Sequence, residues 1–137
     1  MTDGTISVLI VDDEPLIRMG LRALVENEPD LRVVGEAGDG GEALEKCRRL
    51  RPEVVILDVR MPRVDGLEVL RSLRSTPGMQ DTRVVILTTF EQDDYIMQAL
   101  QGGASGFLVK DGEPAQLLAA IRSVHGGDAA LAPSVTN

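Results

Sequence analysis

The sequence predicts a doubly wound α/β domain: a five-stranded parallel sheet of order 2-1-3-4-5, with five helices covering both faces. Three observations predict it. Short apolar runs (VLIV, EVVIL, RVVIL, GFLV) alternate with stretches of helical periodicity along all 137 residues. The runs are rich in β-branched residues and lack polar alternation, as expected of parallel strands buried on both sides. The length suits one domain with five strand–helix units rather than a six-stranded dinucleotide fold. Right-handed crossovers follow, and ligands in such flavodoxin-like sheets sit at the carboxyl ends of the strands, near the switch between strands 1 and 3.

Each element has a local reason. Val8–Val11 is the first strand, and Ile17, Gly20, Leu21, Leu24 and Val25 give the first helix one apolar face. Asn27–Asp30, with Pro29, breaks that helix, and Leu31–Val34 reads as the second strand. Gly38–Gly41 is a turn; Ala43, Leu44, Cys47 and Leu50 mark the second helix, which Pro52 ends. Glu53–Leu57 is the third strand and stops at Asp58. After the loop MPRVDG, Gly66, Leu67, Leu70 and Leu73 mark a third helix, broken at Pro77 and Gly78. Arg83–Leu87 is the fourth strand, ending at Thr88; Tyr95, Ile96, Ala99 and Leu100 mark the fourth helix, closed by Gly102 and Gly103. Gly106–Val109 is the fifth strand and ends at Lys110. Pro114 occupies the first turn of the fifth helix, where its missing N–H costs nothing, and Leu117, Ala120, Ile121 and Val124 face inward before Gly126 and Gly127.

Composition narrows the function. Acidic residues number 22 against 14 Lys and Arg, a net charge of −8, so the chain by itself is poorly suited to a polyanion such as DNA. With no Trp, one Tyr and two Phe, it offers no stacking platform for single-stranded nucleic acid. No apolar run approaches membrane-spanning length and no signal peptide is evident. The single cysteine, Cys47, excludes an internal disulfide and fits a reducing cytoplasm.

The predicted topology gathers particular residues at one edge. Strand 1 ends in Asp12, Asp13 and Glu14, strand 3 in Asp58, strand 4 in Thr88 and strand 5 in Lys110. An all-oxygen acidic pocket suits a hard divalent cation such as Mg²⁺, completed by water and phosphate oxygens. Taken singly, Asp12–Glu14 also suits a helix start, Asp58 a solvated loop, and Lys110 a surface position. The set of four strand ends argues for a site.

The series VLIVDDEP, VVILDVRMPRVDG, VVILTTF and GASGFLVKD closely resembles the receiver domain of bacterial two-component response regulators, and more narrowly the NarL/FixJ (LuxR-type) subfamily. The resemblance runs from about residue 6 to residue 135 and implies the CheY-like form of the fold. It implies that Asp58 accepts a phosphoryl group from a phosphohistidine on a partner histidine kinase. Asp13, Asp12, Asp58 and the backbone carbonyl of Arg60 would then hold Mg²⁺, and Lys110 would pair with the phosphoryl oxygens. Thr88 and Phe107 match the family's switch pair; the ring here is Phe rather than Tyr and lacks the hydroxyl. The resemblance further implies dimerisation through helix 4, strand 5 and helix 5, or through helices 1 and 5. Residues 1–127 would form the receiver. Residues 128–137 would begin a linker to an absent helix-turn-helix domain, the only part that would touch DNA.

Three rival readings stand beside it. A flavin protein of the same fold needs a hydroxyl- and glycine-rich loop where Asp12–Glu14 stand. An aspartate-nucleophile phosphatase of the haloacid dehalogenase type needs its acid pair on strand 1 as D-x-D, whereas strand 3 here ends Asp58-Val59-Arg60. An unphosphorylated pseudo-receiver acting as a docking module would not need Asp58, Asp13, Thr88 and Lys110 together. His125 reads as a cation at a helix end and Cys47 as a small core residue.

Overall fold

A computed structural model of the chain describes residues 4–58, 66–88, 101–109, 113–127 and 130–131; for 88, 109, 130 and 131 it describes the backbone alone. The elements run β1 (Ile6–Val11), α1 (Pro15–Glu26), β2 (Leu31–Ala37), α2 (Gly40–Leu50), β3 (Val54–Asp58), α3 (Gly66–Ser75), β4 (Arg83–Thr88), β5 (Gly106–Val109), α4 (Pro114–His125) and β6 (Ala130–Leu131). The helix predicted around Tyr95–Leu100 lies outside the described residues, so α4 is the fifth helix of the sequence reading.

All pairings are parallel and the order is β2-β1-β3-β4-β5-β6. The predicted order 2-1-3-4-5 holds, with one addition. Ala130 and Leu131 pair with Gly106 and Phe107, where the sequence reading placed only linker. Two residues are too few for a periodic signal, but an open β5 edge offers unpaired backbone groups to the returning chain.

Alternation along each strand divides the core in two. Leu9, Val11, Val55, Leu57, Val84, Ile86 and Phe107 join Ala43, Cys47, Leu67, Leu70 and Leu73 under α2 and α3. Val8, Ile10, Val54, Ile56, Val85, Leu87 and Leu108 join Val25, Leu117, Ile121 and Val124 under α1 and α4. This two-sided burial is why the strands read as unbroken apolar runs. Cys47 sits in the first cluster as expected, and burial pushes its thiol up to about 11.

Two boundaries differ from expectation. β2 continues to Ala37, past the predicted end at Val34. A bulge shifts the register so that Leu9 pairs with Gly35 and Ile10 with Glu36. As an edge strand, β2 tolerates a polar residue there, and the apolar signal stops early. α2 begins at Gly40, inside the predicted turn. Asp39 Oδ1 accepts from the Glu42 N–H at 2.8 Å, and Glu42 Oε1 accepts from the Gly38 N–H at 2.7 Å. These bonds satisfy donors that a helix start otherwise leaves open.

α2 ends on Arg51 in the left-handed region (φ 47°), donating its N–H to the Cys47 carbonyl at 2.9 Å. A side chain there is strained where glycine is not. Arg51→Gly is expected to stabilise the fold by about 0.5–1 kcal/mol in urea unfolding; an unchanged or lower midpoint would show that the Arg51 side chain makes compensating contacts.

At the amino-terminal end of the sheet, the buried Ser7 is fully partnered. Its N–H donates to Glu53 Oε1 at 3.1 Å and its Oγ accepts from the Glu53 N–H at 2.9 Å. Glu53 Oε2 lies 2.6 Å from His125 Nε2. Burial pushes the Glu53 carboxyl up, but the Ser7 N–H and His125 together bring it below its ordinary value. His125, at the end of α4, therefore ties that helix to the residue just before β3.

Candidate functional site

The carboxyl edge follows from register. Val11 pairs with Leu57, so the next residues out, Asp12 and Asp58, follow at the ends of adjacent strands. Asp58 is opposite Leu87, and Thr88 is opposite Val109, whose successor is Lys110. The sheet thus brings the carboxyl ends of β1, β3, β4 and β5 to one edge. Ligand oxygens of Asp12, Asp13 and Asp58 lie within 4.8 Å of one another. Asp12 and Asp58 are buried, 1% and 4% exposed, while Asp13 faces solvent.

Backbone bonds hold Asp12 in place. Its N–H donates to the Ala37 carbonyl at 3.0 Å, its Oδ1 accepts from the Glu14 N–H at 2.9 Å, and its carbonyl accepts from Arg18 Nη1 at 2.6 Å. The chain then enters α1 through Pro15, with Glu14 at the cap position making no side-chain cap bond. Asp12–Glu14 is therefore both a helix start and one wall of an acidic pocket.

The donor set fits a hard cation. Among the described residues it holds three carboxylates and no nitrogen or sulfur ligand. Mg²⁺ takes six oxygens at about 2.1 Å, so three carboxylate oxygens within 4.8 Å of one another could close on one ion, leaving further positions for waters and other oxygens. The Arg60 carbonyl and Lys110 lie outside the described residues, as does the Thr88 side chain. Phe107 is fully buried in the core beneath α2 and α3, beside Ile86 and two residues before the partner of Thr88.

Sequence reasoning passed over the charges behind the pocket. Glu36 on β2 accepts from Arg18 Nε at 3.2 Å and from Arg22 Nη1 at 2.8 Å. Arg22 foremost, with Arg18, holds the Glu36 carboxyl below its ordinary value against the effect of burial. Arg18 and Arg22 stand four apart on α1, a spacing that could have signalled a shared acidic partner.

A parallel sheet of this order with three carboxylates at the switch between β1 and β3 defines an α/β domain built around an acidic pocket. Residues 8–122 match the response regulator receiver domain family. The chain is 41% identical over 131 residues to the response regulator GacA of Pseudomonas syringae pv. syringae (strain B728a), covering 95% of this chain and 60% of that protein. It is 36% identical over 132 residues to the nitrate/nitrite response regulator protein NarL of Escherichia coli (strain K12), covering 95% and 59%. The crystal structure of a LuxR-family two-component response regulator from Aurantimonas sp. SI85-9A1 superposes with a TM-score of 0.91 at 35% identity, covering 96% of this chain and 93% of that one.

The chain belongs to the response regulator receiver family of two-component systems, in its NarL/FixJ branch. It spans about 60% of the length of these curated relatives. Receivers are phosphorylation-activated signalling modules rather than turnover enzymes; they interact with histidine kinases and typically bind Mg²⁺ in an acidic pocket. Among the described residues no helix is long and apolar enough to cross a membrane.

Proposed function

We propose that Asp58 is the phosphoacceptor of a cytoplasmic signalling switch. The convergence of Asp12, Asp13 and Asp58 on one pocket supports this reading most directly. An Asp58 oxygen would attack phosphorus while the bond to the donor's histidine nitrogen breaks, leaving an aspartyl phosphate. Asp13, Asp12, Asp58 and the Arg60 carbonyl would hold Mg²⁺, which when bound offsets charge between the carboxylate and the phosphoryl oxygens. Lys110 would meet those oxygens from the other side. The Arg60 side chain would stand at the mouth and modulate phosphoryl loss.

Thr88 would hydrogen-bond the new phosphoryl group and Phe107 would move with it, shifting the population toward an active conformer. Residues 128–137 would lead to a helix-turn-helix domain, so that DNA binding and transcriptional control lie beyond this chain. Of the two dimer surfaces, the one using α1 and α4 draws support from Leu16 and Met19, apolar residues on α1 that are 78% and 63% exposed.

The test is intact-mass spectrometry after incubation with acetyl phosphate and Mg²⁺. The parent is expected to gain one phosphoryl group and Asp58→Asn none; full modification of the variant would place the acceptor elsewhere.

A further inference from the structure

We propose that Arg18 is a positioning residue of the acidic pocket, acting through the backbone of Asp12; the inference rests on the Mg²⁺-site reading above. Arg18 Nη1 donates to the Asp12 carbonyl at 2.6 Å while its Nε holds Glu36 Oε1 at 3.2 Å. Glu36 is anchored in turn by Arg22 Nη1 at 2.8 Å, and its backbone carbonyl accepts from Lys46 Nζ. Gly38 leaves room for the guanidinium: a Cβ there would stand 3.2 Å from Arg18 Nη1. One side chain thus joins the β1–α1 turn to the end of β2.

The consequence falls on Asp13. The carbonyl that Arg18 grips belongs to the peptide unit joining Asp12 to Asp13. Asp13 is exposed, and the cap residue after it makes no side-chain cap bond. Fixing the plane of that peptide therefore narrows the directions in which the Asp13 carboxylate can leave the backbone. Groups that orient a metal's ligands without touching the ion commonly govern affinity.

Charge alone predicts the opposite effect. Arg18 is a cation behind a cation site, and removing it adds net negative charge, which would tighten Mg²⁺ binding. Loss of positioning would weaken it. The sign of the change separates the two.

The test is calorimetric titration of Mg²⁺ into the 137-residue chain, Arg18→Ala, the charge-balanced Arg18→Ala/Glu36→Gln, and Arg122→Ala. Arg122 is the control. It makes a comparable fork, to Asp30 at 2.8 and 2.9 Å and to Glu28 at 2.7 Å, joining α4 to the α1–β2 turn. Arg18→Ala is expected to bind Mg²⁺ about tenfold more weakly. The double variant is expected to bind at least as weakly, and Arg122→Ala like the parent. Affinity unchanged or tighter in both Arg18 variants, or an equal loss in Arg122→Ala, would overturn the positioning role alone. A parent that takes up no Mg²⁺ would instead contradict the site reading on which it rests.

Discussion

Asp13→Asn is expected to weaken Mg²⁺ binding at least about 100-fold, beyond the usual loss for groups that merely support a ligand. One oxygen from each of three carboxylates lies within 4.8 Å of the others, and a bound cation would relieve their mutual repulsion. Asp13 is the informative member of the set. It is exposed, so its replacement leaves the core intact. Asp12 also anchors the turn through its N–H, carbonyl and Oδ1, so changing it would mix folding with binding. Without Mg²⁺, Asp13→Asn is expected to be no less stable than the parent, because one of three like charges is gone. With Mg²⁺ in excess, the parent's melting temperature should rise by mass action and the variant's should not. Equal rises in both would remove Asp13 from the cation site.

Phe107→Ala is expected to cost about 3–5 kcal/mol, a large part of the roughly 5–15 kcal/mol that holds a domain together. The ring is fully buried among Leu57, Leu70 and Ile86, and nothing at the surface can fill its place. The same residue is proposed to move with Thr88 on phosphorylation, so Ala would confound packing with switching. Phe107→Leu keeps most of the volume and should cost about 1–2 kcal/mol. If the ring is part of the switch, the Leu variant should accept a phosphoryl group as the parent does, yet show smaller amide shifts on α4 by NMR. Parent-like shifts would make Phe107 a core residue and nothing more. Urea unfolding measures the packing component separately.

The fold was legible because burial on both sides writes strands as apolar runs: β1, β3, β4 and β5 appear at or near their predicted bounds. The carboxyl-edge positions were legible for the same reason, since the apolar runs of β1 and β3 stop at Asp12 and Asp58. What escaped lies at the sheet's margins. β2 carries Gly35 and Glu36 past a bulge, and its last residues bear no apolar signature. β6 is two residues long, recruited by an open edge. The Arg18–Glu36–Arg22 cluster depends on a bulge that re-registers β2, and charged residues on α1 read from sequence as a solvated face. Flanking glycines make Asp39 read as part of a turn, although its side chain caps α2.

The chemistry rests on a single carboxylate accepting phosphorus. Borohydride reduction of the acetyl-phosphate-treated protein, followed by peptide mass mapping, tests this directly, because an aspartyl phosphate is reduced to homoserine. Homoserine at position 58, dependent on Mg²⁺, is the expected result. Homoserine at position 12 or 13, or no reduced residue in protein that has gained a phosphoryl group, would contradict it.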